Sequence, residues 1–400
     1  MIDIKQAVIL AGGQGIRLRP FTLKNPKPMV PINGKPFLKH LIKLLKDNGI
    51  KEVVILTGYL GDKIEKYFDN GSKFDLKIKY SYTPFLNEKG EENKSGLRLI
   101  NAQKLLNDYF LLLYCDNYWP FQLRRLMRFF KEHPSDVLIT GYSNLDNSTK
   151  NNILVDKDGY VTKYDSARLE KNLNGVDIGF FIVNKKVLNL LLKSNSKFES
   201  EVLPKLIPKR RLSGYLTDQN YYSIGDSERV KITQKFLSPK KVIFLDRDGV
   251  INKRPIKADY VRKWDQFKFL PGSIKAIKIL NDKGYKIFII SNQPGIARGV
   301  MTKKDLGLIH KNMLKVLKEE RIKIVGIYIC PHGWDEGCDC RKPKPGLLYQ
   351  VSREHLIDLT KVIFIGDDER DEEAGKSAGC RTILVTPKNN LLKIIRKIIL

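Results

Sequence analysis

Val242-Ile243-Phe244-Leu245-Asp246-Arg247-Asp248-Gly249 places four apolar residues directly before two carboxylates at alternate positions. The apolar run reads as a buried strand, which sends successive side chains to opposite faces until the chain loosens at its carboxyl end. There Asp246 and Asp248 can both turn into the crevice outside the sheet, where open α/β folds bind ligands. A charged turn after a strand has the same local pattern, so the residues further along must decide. They end in Ser291-Asn292-Gln293, then Arg341-Lys342-Pro343, then Gly366-Asp367-Asp368 with Asp371 behind. A phosphate monoester needs a nucleophile, a proton donor for the leaving oxygen, cations on the transferring oxygens and a divalent metal among carboxylates. This inventory supplies each.

Outward from that stretch, strand-like runs alternate with amphipathic ones over the whole chain. The runs fall at 6–10, 52–57, 110–114, 136–140 and 180–183, and again at 242–245, 286–290, 324–329, 362–365 and 382–385. Such alternation predicts an α/β fold in two domains with mostly parallel sheets. Between the two series, residues 233–241 are polar, carry Pro239 and lack a clear period, so the boundary is expected there. The expected domains are 1–236 and 240–400. No tandem repeat or low-complexity segment is visible.

Cys330-Pro331-His332 and Cys338-Asp339-Cys340 form two short ligand pairs, each able to grip one metal from one side. Together Cys330, His332, Cys338 and Cys340 predict a tetrahedral structural Zn²⁺ site. A disulfide is the competing reading for Cys338 and Cys340, disfavoured in a chain that reads as cytoplasmic. Cys115 and Cys380 stand alone and read as packing residues.

The second series resembles the haloacid dehalogenase superfamily of phosphatases across essentially all of residues 240 to 390. The resemblance implies a Rossmann-like domain, with Asp246 attacking phosphorus to form an aspartyl-phosphate. Asp248 would protonate the leaving alkoxide and later activate water. Ser291 and Lys342 would hold the phosphoryl oxygens, with Asn292 and Arg341 beside them. Asp246, Asp367 and the main-chain carbonyl of Asp248 would ligate Mg²⁺. Asp-x-Asp-Gly-Val-Ile-Asn, Ser-Asn-Gln and Cys-x-Cys-Arg-Lys-Pro are similar to the capless subfamily of heptose bisphosphate and histidinol phosphatases, the heptose enzymes matching better. The loop 333–337 between the zinc pairs is short, which bears on sugar specificity.

The first series opens with Leu10-Ala11-Gly12-Gly13-Gln14-Gly15-Ile16-Arg17-Leu18-Arg19-Pro20, followed by Asn25-Pro26-Lys27-Pro28-Met29. Glycines let backbone N–H groups approach a phosphate, and Arg17 and Lys27 supply fixed positive charge. About the first 230 residues resemble the sugar-1-phosphate nucleotidyltransferases, through Tyr114-Cys115-Asp116, Asn174 to Gly179 and Phe198 to Pro204 as well. The resemblance implies a Rossmann-like domain in which Gly12, Gly13 and Gly15 cradle the nucleotide, Arg17 stabilises the triphosphate, Lys27 binds phosphate and Asp116 holds Mg²⁺. The sugar phosphate oxygen itself would attack the α-phosphorus. Two positions depart from the family. Ser223, in Tyr222-Ser223-Ile224-Gly225-Asp226, stands where a second magnesium-binding Asp is usual. Lys94-Ser95-Gly96-Leu97-Arg98 replaces the usual Gly-Thr-Ala-Gly. Asp226 or water would complete the metal shell, or the domain survives as a binding module.

The formal charge of +28 is scattered along the chain, which argues for a solvated surface and anionic metabolites over specific nucleic-acid binding. No apolar run reaches the length of a membrane span, and the leading residues carry no signal-peptide pattern. The tail 391–400 has a helical apolar stripe with basic residues between, which reads either as a helix packed on the sheet or as a membrane-surface helix. A homo-oligomer is compatible with all of this. The expected activity is bifunctional: Mg²⁺-dependent removal of the 7-phosphate of a heptose 1,7-bisphosphate, then nucleotidyl transfer to the sugar 1-phosphate, with GTP favoured by the mannose-1-phosphate guanylyltransferase-like opening. The alternative is a heptose bisphosphate or histidinol phosphatase carrying an inactive nucleotide-sensing domain.

Overall fold

The alternating runs become strands and helices in two units, Met1–Leu237 and Ser238–Leu400. A computed structural model describes residues 2–191, 195–255 and 259–399. Met1 and Leu400, at the outer ends of the leading and trailing stretches read above, lie outside them.

Among the described residues, the first unit is built on a seven-stranded sheet of β1 (Gln6–Leu10), β2 (Glu52–Thr57), β3 (Lys77–Tyr82), β4 (Tyr109–Tyr114), β5 (Val137–Tyr142), β6 (Val176–Asn184) and β7 (Leu212–Thr217). Its order is β7-β5-β6-β4-β1-β2-β3. Only β6 runs against its neighbours, pairing antiparallel with both β4 and β5. The interior strand β1 is buried at every position, as expected where helices cover both faces of a parallel sheet. The strands missing from the sequence reading, β3 and β7, are the two edges of this sheet. Lys77-Ile78-Lys79-Tyr80-Ser81-Tyr82 carries the charged and polar residues that blunt an edge, and Leu212-Ser213-Gly214-Tyr215-Leu216-Thr217 is interrupted by Ser and Gly.

The second unit has a five-stranded, wholly parallel sheet of β8 (Val242–Leu245), β9 (Lys286–Asn292), β10 (Ile324–Cys330), β11 (Ile363–Gly366) and β12 (Arg381–Leu384), ordered β10-β9-β8-β11-β12. The order reverses direction at β8, which is the switch point where doubly wound sheets bind ligands. Strand alternation divides the core in two. Ile243 and Leu245 pack with Ile277, Leu280 and Ile289 on one face, and Val242 and Phe244 with Phe288, Leu348 and Phe364 on the other. Each fully buried side chain of this kind contributes about 1.5–3 kcal/mol.

Two stretches read from the sequence gain detail here. The two units meet within 233–241, and the helix Ser227–Leu237 runs through its first half. Thr233 is fully buried and donates its hydroxyl to the Ser223 carbonyl at 2.7 Å, so a polar residue with an internal partner had broken the apolar period. At the tail, the helix Leu391–Ile399 buries Leu391, Ile394 and Ile395 in the core with Ala276 and Ile277, which is the packed reading rather than the membrane-surface one. No described helix is long and apolar enough to cross a membrane.

Candidate active sites

In the second unit, register brings the chemistry to one sheet edge. Leu245 pairs with Ile289 on one side and Ile365 on the other, so Asp246, Ser291 and Asp367 emerge at neighbouring strand ends. They line a cleft of about 800 Å³ together with Asp248, Asn292, Arg341 and Lys342. Lys342 is the hub. Its ammonium donates to Asp246 Oδ1 at 2.7 Å and to the Ile290 carbonyl at 3.0 Å, and lies 2.6 Å from Asp371 Oδ1. Asn292 fixes the lysine's backbone reciprocally, donating from Nδ2 to its carbonyl and accepting from its N–H on Oδ1. Burial pushes the proton affinity of Asp246 well above the carboxylate range, against the pull of Lys342 and with the help of nearby Asp371 and Asp248. Burial opposes the charge of Lys342 as well, but Asp246 and Asp371 outweigh it and hold the ammonium protonated.

Asp248 sits in the opposite electrostatic setting. Burial again opposes its charge, yet the Arg247 guanidinium and hydrogen bonds from Asn252, Arg247 and Gln293 hold its carboxyl below the usual range. Arg247 is fully buried, 2.8 Å from Asp248 Oδ2, with His310 Nε2 3.1 Å from its other nitrogen. Gln293 ties the proton-transfer residue to the phosphate pocket: its Nε2 donates to Asp248 Oδ2 at 2.9 Å and to Ser291 Oγ at 2.8 Å. That leaves the Ser291 hydroxyl hydrogen for a phosphate oxygen. Two neighbouring carboxyl groups with proton affinities pushed apart suit a division between nucleophile and acid/base.

Carboxylate oxygens of Asp246, Asp367 and Asp371 come within 4.8 Å of one another, and hard oxygen donors of this kind suit Mg²⁺. Burial raises Asp367 to about 6, partly against Arg254, so ionising this cluster is costly and a divalent cation held there would offset that cost. Gly249 makes room for it: with φ of +89°, a Cβ there would meet Asp367 Oδ2 at 1.9 Å. Asp371 was absent from the sequence-derived ligand set. Its signal was its place as the third residue of the helix Glu369–Ala378, where Oδ2 accepts from the Asp367 and Asp368 N–H groups while Oδ1 faces Lys342.

Cys330, His332, Cys338 and Cys340 converge as the spacing predicted. Cys338 Sγ lies 3.6 Å from both Cys330 and Cys340 Sγ, and His332 Nδ1 lies 3.2 Å from Cys340 Sγ. Ligands about 2.3 Å from a tetrahedral Zn²⁺ stand roughly 3.8 Å apart along each edge, so the spacing fits that ion. All five cysteines are free thiols. Cys115 and Cys380 are buried, and burial raises both thiols.

In the first unit, Gly12, Gly13, Gly15, Arg17, Lys27 and Asp116 line one cleft of about 820 Å³ at the ends of β1 and β4. The glycines are not equivalent. Gly13 is exposed with open space where a Cβ would be, whereas at Gly12 that space holds the Arg98 guanidinium and at Gly15 the Lys27 side chain. Lys27 is ion-paired to Asp116 Oδ2. Ser223 pairs with Asn117 in a short antiparallel bridge, and the Ile224 N–H donates to the Asp116 carbonyl at 3.0 Å, so position 223 does lie beside Asp116. Asp226 contacts the start of the helix Ser227–Leu237: its Oδ1 accepts from the Arg229 N–H at 2.9 Å and its Oδ2 lies 3.4 Å from Arg229 Nε.

The nucleotidyl transferase family model matches residues 6–235. The model for polynucleotide kinase 3 phosphatase matches residues 241–380. The D-glycero-β-D-manno-heptose-1,7-bisphosphate 7-phosphatase of Pseudomonas aeruginosa is 39% identical over 146 residues, covering 36% of this chain and 81% of the relative. The α-anomer enzyme of Campylobacter jejuni is 42% identical over 145 residues, covering 36% and 81%. The chain belongs to the nucleotidyl transferase family and, in its second unit, to the heptose bisphosphate phosphatases. HddC from Yersinia pseudotuberculosis, solved with GMP-PN, is 25% identical over 57% of this chain and 97% of that one, with a TM-score of 0.47. By its two family matches the protein is a bifunctional sugar-phosphate enzyme, a phosphatase joined to a nucleotidyltransferase.

For this phosphatase unit, the position of Lys342 makes a stability prediction. Lys342→Met removes the one ammonium between two buried carboxylates, and breaking a buried pair by removing one partner costs about 3–5 kcal/mol. Denaturant unfolding of the second unit at pH 7 should show a loss of that size. Asp246, whose folded-state proton affinity is raised, contributes most below the ordinary carboxylate range and loses that contribution as pH rises. The penalty should therefore shrink as pH is lowered; a penalty that grows on acidification would contradict it.

Proposed function

We propose that the second unit hydrolyses the 7-phosphate of D-glycero-D-manno-heptose 1,7-bisphosphate and that the first unit transfers a nucleotidyl group, from GTP, to the resulting heptose 1-phosphate. The observation that carries the first half is Asp246, buried at the switch-point strand end with Lys342 at 2.7 Å. Asp246 attacks phosphorus, its oxygen forming the new P–O bond while the bond to the sugar oxygen breaks. Lys342 and the Ser291 hydroxyl stabilise the charge on the transferring oxygens. Asp248 protonates the leaving alkoxide, taking up its proton once an anionic ester sits beside it, and then removes a proton from the water that opens the aspartyl-phosphate. Mg²⁺ held by Asp246, Asp367 and Asp371, with the Asp248 carbonyl, would neutralise charge on the phosphate. Cys330, His332, Cys338 and Cys340 would hold Zn²⁺, which would fix the segment that leads into Arg341 and Lys342.

For the first unit, Arg17 and Lys27 bind the triphosphate, and Asp116 would hold Mg²⁺, an ion commonly bound by one or two carboxylates plus substrate phosphates. GTP rests on the likeness of residues 10–29 to mannose-1-phosphate guanylyltransferases. The order of the two steps follows from chemistry, since the phosphatase product is the acceptor of the transferase, and the product nucleotide-sugar would feed surface polysaccharide. The competing reading, a nucleotide sensor without turnover, draws on Ser223 and on the commitment of Asp226 to its helix. Incubation with either anomer of heptose 1-phosphate and each nucleoside triphosphate separates the two. Pyrophosphate release is expected, fastest with GTP; nucleotide binding without release under all conditions would establish the sensor. A phosphate-release panel that includes histidinol phosphate tests the sugar, and a preference for histidinol phosphate would overturn the heptose assignment.

A further inference from the structure

Arg98 lies in the stretch that departs from the family pattern, on the helix Ser95–Ala102, and it is 4% exposed. Its guanidinium gathers backbone carbonyls from the ends of three strands. Nη1 donates to Thr57 at 2.9 Å and Thr83 at 2.8 Å, and Nη2 to Gly12 at 3.3 Å and Pro84 at 3.5 Å. Among the described residues no carboxylate hydrogen-bonds or ion-pairs with it; Glu92, which lines the same cleft, acts on it only through space. A buried cation held mainly by carbonyl dipoles, with one carboxylate acting at longer range, retains much of its desolvation cost until an anion arrives.

The anion has a place to sit. Arg98 lines the same cleft as Gly13, Arg17 and Lys27. Asn93, also buried, lines it too and donates to the same Pro84 carbonyl; its unpartnered Oδ1 is an acceptor, open to an N–H or O–H of the nucleotide rather than to a phosphate oxygen. Gly12 is shaped by the arginine: a Cβ there would lie 2.2 Å from Arg98 Nη1. The glycine that the sequence assigned to the nucleotide is thus required by a side chain beneath it, and the loop is seated on that side chain.

We propose that Arg98 is a positioning residue for nucleotide binding: it pins the Gly12 backbone to the strand ends and supplies a buried positive charge that the bound triphosphate neutralises. The proposal rests on the reading of the glycine loop as the nucleotide cradle. It predicts that nucleotide affinity depends on Arg98 even though the side chain is covered by the loop.

The test is calorimetric titration of the full chain with MgGTP, MgATP, MgCTP and MgUTP, for wild type, Arg98→Lys and Arg98→Met, with phosphatase turnover as an internal check that the second unit is intact. Loss of a charge-assisted interaction corresponds to a weakening of about tenfold or more. For the nucleotide that wild type binds best, Arg98→Met should show at least that loss and Arg98→Lys a smaller one. The expected coupling with Gly12→Ala is a second readout that general destabilisation would not produce. Gly12→Ala should weaken binding strongly beside Arg98 and much less beside Arg98→Met, because the overlapping atoms are gone. Binding within twofold of wild type in a folded variant, or additive effects in the cycle, overturns the proposal. So does failure of both Arg98 variants to fold, which would make the residue a core element alone. If wild type binds none of the four nucleotides, the cradle reading itself fails, and that arm shows it without any variant.

Discussion

Asp246→Asn should abolish phosphate release, with a loss of about 10⁴-fold or more, as for removal of a catalytic nucleophile elsewhere. The amide preserves size and can still accept a hydrogen bond from the Lys342 ammonium, now 2.7 Å from Asp246 Oδ1, so geometry is retained while the charged nucleophilic oxygen is lost. The same change should not destabilise the second unit. Burial opposes ionisation of Asp246, and Lys342 keeps Asp371 as a partner at 2.6 Å, so replacing the carboxylate removes a desolvation cost. A melting temperature equal to or above that of wild type, with nucleotide binding by the first unit unchanged, completes the expectation. Turnover within tenfold of wild type would refute the nucleophile, and a large loss of stability would refute the account of its charge. A site that is strained for function and relieved by inactivating it is the usual stability–activity exchange.

The same buried charges explain what was legible in the sequence. Asp246, Ser291 and Asp367 each stand at the end of an apolar strand run, and parallel register alone brings such strand ends together, so linear order was enough to predict their meeting; Lys342 reaches them from the loop beyond the cysteine pairs, anchored by Asn292. Asp371 was visible but unassigned, because its role depends on the helix turning its two oxygens in different directions. Arg98 was noted only as a departure from a pattern. Nothing local marks an arginine as buried when its partners, Thr57, Thr83 and Gly12, are backbone carbonyls 41, 15 and 86 residues away. Thr233 misled for the same reason: a polar residue satisfied internally reads as a break in the core pattern until its partner is known. Edge strands such as Lys77–Tyr82 escape because an edge must be polar to stay unpaired.

Removal of zinc is the second change expected to have a large effect. The four donors crowd one another: burial raises the Cys330 and Cys340 thiols, with both neighbouring thiols adding to the rise at Cys340 and Cys338 alone doing so at Cys330, against a hydrogen bond with Cys340, while Cys338 is held low despite burial by hydrogen bonds from Cys340 and the backbone. Binding a cation must release thiol protons, so affinity should fall as pH falls. Structural Zn²⁺ in small domains contributes about 10–16 kcal/mol of apparent binding free energy at neutral pH, enough to decide the conformation of residues 330–342. Those residues end in Arg341 and Lys342, and Lys342 is anchored to Asn292 across the cleft. Chelation, or Cys340→Ser, should therefore reduce bound zinc from about one equivalent toward none and cut phosphatase turnover by at least about tenfold, the scale of effects from loosened supporting ligands. Trp334, 73% exposed within the loop, provides a fluorescence reporter of the rearrangement. Nucleotide binding by the first unit should not change. If purified protein carries no zinc and retains full turnover, the four donors are only neighbours, and the placement of Lys342 must then rest on Asn292, Asp246 and Asp371 alone.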